Sequence, residues 1–243
     1  MSNVFVEKIY VKNSDVDMHD RWKYSSILDV IQEISSHHMS TIKSDNSELI
    51  KANLAWVIAR AKVEMARIPS SEEQITVKTW VSTPIKFIYP RYTLFEDEEG
   101  IEIGKAVELW SIIDVKTHQV ILAPEGKINY FKTDENALIP LTLPASLNMD
   151  NLDKQTYYKS VYCDIDLNQH VNNTKYFDWI FNIIDPIFLK THFAKSVQIN
   201  YVKEIKIGEL VKLEWSLVND KLKIHGSVDD KICFSAMLDF IGG

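Results

Sequence analysis

Residues 164–182 read "DIDLNQHVNNTKYFDWIFN" and set Asp164, Asp166, Asn168, His170, Asn172 and Asn173 ahead of an aromatic, helix-periodic run. His and Asp are the side chains best suited to moving protons near neutral pH. His170 stands just before a helix opening that the pattern predicts near Asn173 or Thr174. A helix N-terminus presents unpaired N–H groups and partial positive charge. A carbonyl oxygen placed there would be polarised, and a developing oxyanion stabilised. The segment therefore has the parts for chemistry at a carbonyl.

Plainer readings of the same residues exist. Asn, Asp and Thr are favoured helix caps, so "NNT" alone requires no function. Asp164, Asp166 and Asn168 match the start of an EF-hand calcium loop, but its sixth position is Gln169 rather than Gly and its twelfth is Lys175 rather than Glu. Cys163 sits beside the cluster, in what reads as a strand, where a lone Cys is usually a small buried hydrophobe. His37 and His38 close a helical pattern with no third ligand near them, which reads as surface or core.

The elements that must carry these groups alternate in a simple way. "VFVEKIYV" reads as a strand and "YSSILDVIQEISSHHM" as a helix, with Ile27, Leu28, Ile31, Ile34 and Met39 near a 3.6 period. Strand-like runs follow: "LAWVIARAKVEMARI", "QITVKTWVST", "FIYPRYTLFED" and "EIGKAVELWSIIDVKTHQVI", with "EDEEG" as a hairpin tip. After a Pro-bearing stretch the order restarts. "YYKSVYC" reads as a strand and "TKYFDWIFNIID" as a helix halted by Pro186. Four more strands are expected in "FAKSVQINYVKEI", "ELVKLEWSLVN", "KLKIHGSVDD" and "KICFSAMLDFI".

The repeat extends to single residues. "DVDMHDRWKYSSILDV", from Asp15, aligns without a gap on "DIDLNQHVNNTKYFDW", from Asp164. Asp15, Asp17 and Asp29 fall on Asp164, Asp166 and Asp178, while His19 and Arg21 take the places of Asn168 and His170. The copies share a scaffold and differ in chemistry. A helix with several antiparallel strands, twice, predicts an α+β chain of two tandem hotdog domains, each an antiparallel sheet wrapped around a central helix. The expected division is residues 1–123, a linker over 124–156, and 157–243.

Composition narrows the function classes. The chain has 243 residues, 46% of them hydrophobic, enough for a real core, and a net charge of -7, which weighs against a nucleic-acid binder. With seven glycines it holds neither GxxxxGK[ST] nor GxGxxG, and GxSxG is absent. Two cysteines without a CxxC pair argue against a thiolate zinc site. No signal peptide and no membrane span are recognised, so a cytoplasmic location with reduced thiols is expected.

"DIDLNQHVNNTKYFDWI" closely resembles the signature of the acyl-acyl carrier protein thioesterases of plant plastids and bacteria, D-[LIV]-D-x-N-x-H-V-N-N-x-K-Y. "AWVIARAKVEMARIPSSEEQITVKTWVS", with its W-V-x-x-R and V-x-T-W-V elements, resembles the first-domain strand pair. "INYVKEIKIGELVKLEW" resembles the second-domain strand that carries a further acidic residue. The resemblance implies hydrolysis of the thioester of fatty acyl-acyl carrier protein, releasing free fatty acid and ending chain elongation. It implies a catalytic network of Asp166, Asn168, His170 and Glu204, no cofactor and no metal. Many plant members carry Cys directly after that Glu; here the residue is Ile205, which speaks against a Cys–His–Asn mechanism.

In the implied mechanism Glu204, with Asp166, activates a water, and Asn168 and His170 position the thioester. Direct attack by Asp166 is a competing route. The first domain is expected to enclose the acyl chain in an apolar tunnel walled by the helix around Ile27–Met39. The implied partner is an acyl carrier protein bearing a fatty acyl-phosphopantetheine; no nucleic acid is expected, and the chain would be a monomer or homodimer. An acyl-CoA thioesterase, a hotdog hydratase or dehydratase, and a non-catalytic acyl-binding protein are the alternatives.

Overall fold

The computed structural model describes residues 4–122 and 140–242. The first half comprises β1 (Phe5–Tyr10), α1 (Tyr24–Ser40), α2 (Asn46–Lys51), β2 (Leu54–Met65), β3 (Gln74–Val81), β4 (Tyr89–Glu96), β5 (Glu102–Asp114) and β6 (Val120–Ile121). The second comprises β7 (Lys154–Lys159), α3 (Lys175–Asn182), α4 (Pro186–Thr191), β8 (His192–Tyr201), β9 (Leu210–Val218), β10 (Lys221–Val228) and β11 (Lys231–Gly242).

All eleven strands belong to one antiparallel sheet of order β1-β3-β4-β5-β2-β8-β11-β10-β9-β7, with β6 paired to β5 off this path. Counted from either edge inward, each half supplies its first, third, fourth, fifth and second strand. The halves meet where β2 pairs with β8, Ala61 opposite Ile199 and Val63 opposite Val197. The expected pair of sheets is thus continuous across a central seam, and the hotdog arrangement holds, each half laying its sheet around a helix.

The period of α1 turns Ile27, Leu28, Ile31 and Ile34 into the core, all at most 2% exposed. They pack with Val63, Val77 and Phe95 from the inner sheet face, and with Phe177 and Ile180 of α3 in the same cluster. The Tyr24 hydroxyl, at the start of α1, donates to the Ala194 carbonyl of β8 and ties the halves together. The outer face of β3, β4 and β5 is covered as well: Trp80, Tyr92, Leu94, Val107 and Leu109 cluster with Leu141. This explains why β4 is buried along nearly its whole length instead of alternating.

Several expected boundaries shift. The strand foreseen at 157–163 is β7, which ends at Lys159; Tyr162–Asp164 form a 3-10 turn, and Cys163 is exposed. β7 also begins inside the stretch expected as linker, of which residues 124–139 lie outside the described residues. Pro186 does more than halt a helix. α3 ends at Asn182, and Pro186 opens α4, where its missing N–H costs nothing, with the Asp185 carboxylate accepting from Ile187 N–H at 2.8 Å. The six-residue α2 and α4 are too short to declare a period, so the sequence does not announce them.

Gly226 of β10 lies opposite Phe234 of β11, and a Cβ there would stand 2.1 Å from the Phe234 ring. Gly226→Ala is expected to destabilise the fold by about 1–3 kcal/mol through overpacking, read as a lower midpoint in urea. No described helix is long and apolar enough to cross a membrane.

Candidate active site

The polar segment folds as a short closed loop. Asp166 N–H donates to His170 O at 2.9 Å, Gln169 N–H to Asp166 O at 3.0 Å, and Asn172 N–H to Asp164 O at 2.8 Å. Gln169 adopts a left-handed φ of 65°, which lets the chain reverse. The Asp166 carboxylate accepts from Asn168 N–H at 2.7 Å and from its amide Nδ2 at 3.4 Å. Asp164 is buried and accepts from Val161 N–H at 2.9 Å, a structural brace.

A second loop, following β8, locks onto the first. Val171 N–H donates to Ile205 O at 2.8 Å, and His170 pairs with Lys206 in an isolated antiparallel bridge. This brings Glu204 Oε2 to 3.1 Å from His170 Nε2. Glu204 therefore sits in a loop beyond β8 and not on the strand itself. With side-chain exposures of 21% for His170 and 47% for Glu204, the contact adds little to stability. Its effect is to orient the imidazole. Tyr201, the last residue of β8, donates its hydroxyl to Asn173 O at 2.8 Å.

α3 opens at Lys175, one residue past the expected opening. Thr174 is the N-cap and makes no side-chain cap bond; Asn172 braces it from the preceding turn, its Oδ1 accepting from both the N–H and the hydroxyl of Thr174, each at 3.0 Å.

The first half repeats this loop bond for bond. Asp17 N–H donates to Arg21 O at 2.9 Å, Asp20 N–H to Asp17 O at 3.1 Å, and Lys23 N–H to Asp15 O at 2.9 Å. Asp17 Oδ1 accepts from His19 N–H at 2.8 Å, and Asp20 has a φ of 57°. Trp22 N–H donates to Pro69 O at 2.8 Å, matching Val171 to Ile205, so Ile68 stands in the place of Glu204. Arg21, in the place of His170, reaches across the seam. Its Nη1 donates to Leu189 O at 2.7 Å and His192 O at 2.8 Å, and its Nη2 to Lys190 O at 3.1 Å. These carbonyls close α4, so the first loop is a helix clamp. The carboxylate that staples a loop to its own backbone is common to both copies; the His–Glu contact belongs to the second alone.

Of the predicted residues, the structure joins Asp166 to Asn168 and His170 to Glu204. Among the described residues no side-chain hydrogen bond or ion pair links the two pairs, which meet through the backbone bond from Asp166 N–H to His170 O. Asn168 is exposed.

A cavity of about 420 Å³ lies in the first half, between the C-terminal part of α1 and the ends of β2 to β5. Its lining includes Ser35, Met39, Trp56, Tyr89, Arg91 and Trp110. Ile27, Leu28, Ile31 and Ile34 of α1 pack into the core, while Met39 reaches this space beside Gln32, Ser35 and Ser36 of the same helix. Arg91 (3% exposed) and Glu108 (1%) are register partners on β4 and β5. Burial pushes the Glu108 carboxyl up to about 7, against the pull of the Trp110 N–H and the Arg91 charge. Burial and the Arg91 charge press His38 down to about 3. Burial, then Tyr176 and Glu108 nearby, hold the Tyr201 hydroxyl well above the usual phenol range. Tyr201 thus bonds the loop that carries His170 and lies within electrostatic reach of the buried Glu108. Sequence reasoning missed Arg91, Glu108 and Tyr201. The signal for the first two was their parity: Arg91 shares a strand face with inward-facing Phe95, and Glu108 with Ala106.

Two adjoining family profiles match the chain: the acyl-ACP thioesterase N-terminal domain over residues 2–128 and its C-terminal domain over 148–232. Among curated proteins, an oleoyl-acyl carrier protein thioesterase 2 of Arabidopsis thaliana is 24% identical over 230 residues, 85% of this chain and 61% of that one. A palmitoyl-acyl carrier protein thioesterase of Gossypium hirsutum is 24% identical over 214 residues, 83% of this chain and 52% of that one. Both are described as chloroplastic. The chain thus spans between half and two thirds of these relatives. Among solved structures, an acyl-ACP thioesterase from Bacteroides thetaiotaomicron superposes with a TM-score of 0.91 at 21% identity, covering 99% of this chain and 100% of that one. The 12:0-ACP thioesterase from Umbellularia californica gives 0.85 at 18% identity, covering 100% and 99%. These two likenesses establish the fold.

Proposed function

We propose that this chain, which belongs to the acyl-ACP thioesterase family, hydrolyses the thioester of a fatty acyl-acyl carrier protein and releases the free fatty acid, ending elongation. The observation that carries the reading is the contact of His170 with Glu204, found in only one of two loops whose backbones match bond for bond. If the imidazole gives its Nε2–H to Glu204, Nδ1 is left as an acceptor. It takes a proton from a water that attacks the thioester carbon. The tetrahedral oxyanion collapses, the C–S bond breaks, and the proton passes to the departing thiol sulfur. Asn168, held by Asp166, orients the thioester in this reading. Residues 1–123 supply the acyl-chain cavity and residues 157–243 the chemistry. A cytoplasmic setting goes with this reading.

The deciding experiment is release of free thiol from acyl carrier protein and from acyl-CoA across chain lengths, with hydration of an enoyl thioester assayed in parallel. Thiol release fastest from the carrier-bound substrate supports the assignment. Faster release from CoA moves it to an acyl-CoA thioesterase, hydration without release to a hydratase, and neither reaction to a binding protein.

The carrier's acidic surface calls for a cationic approach. Lys203 and Lys206 are exposed and flank Glu204 in its loop. Changing both to Glu is expected to lower kcat/KM on the carrier-bound substrate about tenfold at low salt, and raising ionic strength should narrow the gap. Equal rates at all salt concentrations would remove these lysines from the docking surface.

A further inference from the structure

We propose that a second cavity, beside the first loop, binds a free long-chain carboxylate, with Arg21 seating the anion and an aromatic wall taking the hydrocarbon tail. Binding needs no turnover, so the inference stands apart from the thioesterase reading, although the acid released in that reading is a ligand of this class.

The cavity measures about 580 Å³ and lies between the first loop, α3, α4 and the start of β8. That is within the range of roughly 300–1,000 Å³ usual for small-molecule sites. One side is aromatic: the Tyr24 ring stacks on Phe181 with centroids 5.6 Å apart and planes 9° apart, and Phe177, Leu189 and Phe193 continue the apolar surface. Arg21 belongs to the polar side. A guanidinium has five N–H donors. Nη1 donates twice and Nη2 once, all to the carbonyls that close α4. The Nε–H and one Nη2–H therefore have no partner among the described residues, and Nε is not sealed away from solvent. Carbonyls are uncharged, so they fix the guanidinium in place without cancelling its charge.

The chemistry of the ligand follows from that cation and its surroundings. A fixed, donor-only guanidinium is met best by a planar acceptor of negative charge, and a carboxylate offers two oxygens in one plane. Lys23 also lines the cavity; its ammonium bonds Ser14 O at 2.9 Å and keeps its charge. The two acids of the lining are already engaged. Asp17 Oδ1 accepts from His19 N–H at 2.8 Å and Arg21 N–H at 3.1 Å, and Asp178 Oδ2 lies 3.3 Å from Lys175 Nζ. Ile68 lines the cavity in the place that Glu204 takes in the second half, so no carboxylate from that position repels an anion. The aromatic wall then separates one anion from another. Burying methylenes against it favours a carboxylate with a hydrocarbon tail over a bare inorganic ion.

The test uses the full chain and a hexadecanoate that carries a photoreactive diazirine in its tail, with the labelled peptides mapped by mass spectrometry. Label is expected on residues 177–194, and unlabelled hexadecanoate should compete for it at least about tenfold better than its methyl ester, which lacks the charge. Arg21→Gln keeps N–H groups for the α4 carbonyls and removes the cation; Asn182→Glu sets an acid at the exposed rim without touching the clamp. Each should weaken labelling of this segment about tenfold, while any label near Met39 and Trp56 in the other cavity is unchanged. If Arg21→Gln unfolds at lower temperature, Asn182→Glu decides. Label confined to the other cavity, label on 177–194 that survives Asn182→Glu, or an ester that competes as well as the acid overturns the proposal. Thiol release from acyl carrier protein is assayed separately, so either reading can fail while the other holds.

Discussion

His170→Ala should lower thioester turnover by at least about 100-fold while thermal unfolding stays within a degree or two of the parent. In the proposed reaction His170 takes the proton from water, and its removal brings the loss. The intact fold is foretold by the molecule itself, because the same loop closes around Arg21 in the first half with the same backbone bonds. Asp166 needs a finer instrument. Its carboxylate staples the loop to Asn168 N–H, as Asp17 does to His19 N–H, so Asp166→Ala would confuse a loosened loop with lost chemistry. Asp166→Asn keeps the acceptor and removes the charge. A fall of 100-fold in that variant makes Asp166 a participant; a fall of only a few-fold makes it scaffold. Near-parental turnover for His170→Ala would end the assignment of this loop as the active site.

Glu108→Gln should become more stable relative to the parent as pH rises. Below its ordinary value near 4.5 the acid is protonated whether the chain is folded or not, and burial costs it little. In the folded protein the proton is held up to about 7. Between these points the unfolded chain sheds a proton that the native one keeps, and the advantage of the protonated native form is lost as pH climbs. A gap of about 2.5 units corresponds to about 3 kcal/mol, complete above about pH 7.5. His38 works in the opposite sense. Depressed to about 3, it withholds stability as pH falls below its ordinary 6.5, and being common to both proteins it drops out of the difference. Urea titrations of the two proteins at pH 4.5, 6 and 7.5 measure the effect; parallel curves would show that the buried acid does not retain its proton.

The repeat and the helical period of α1 were plain in the sequence because both are local patterns with many residues voting. The pairing of residues 164–173 with the stretch from Asp15 was sound down to individual hydrogen bonds. The His170–Glu204 contact lay beyond local reasoning. It depends on a loop beyond β8 folding back by one bridge to Lys206, and only the family resemblance pointed to Glu204. Arg91 and Glu108 were hidden for another reason. A charged residue in a strand reads as solvent-facing, but these two lie on the inner face, where His38 of α1, distant in sequence, meets Arg91. Cys163 misled in the opposite direction, since a strand was assumed where a 3-10 turn leaves the thiol in water.

The seam between β2 and β8 has a meaning beyond geometry. Were the two halves separate identical subunits, association would depend on concentration, and every residue placed in one loop would be forced on the other. A covalent connection makes their meeting intramolecular and lifts that obligation. One loop can then serve as a bolt, as Arg21 does across α4, while the other sets an imidazole against a carboxylate. Duplication followed by divided labour would leave this imprint: a symmetric frame whose two matching loops carry different side chains.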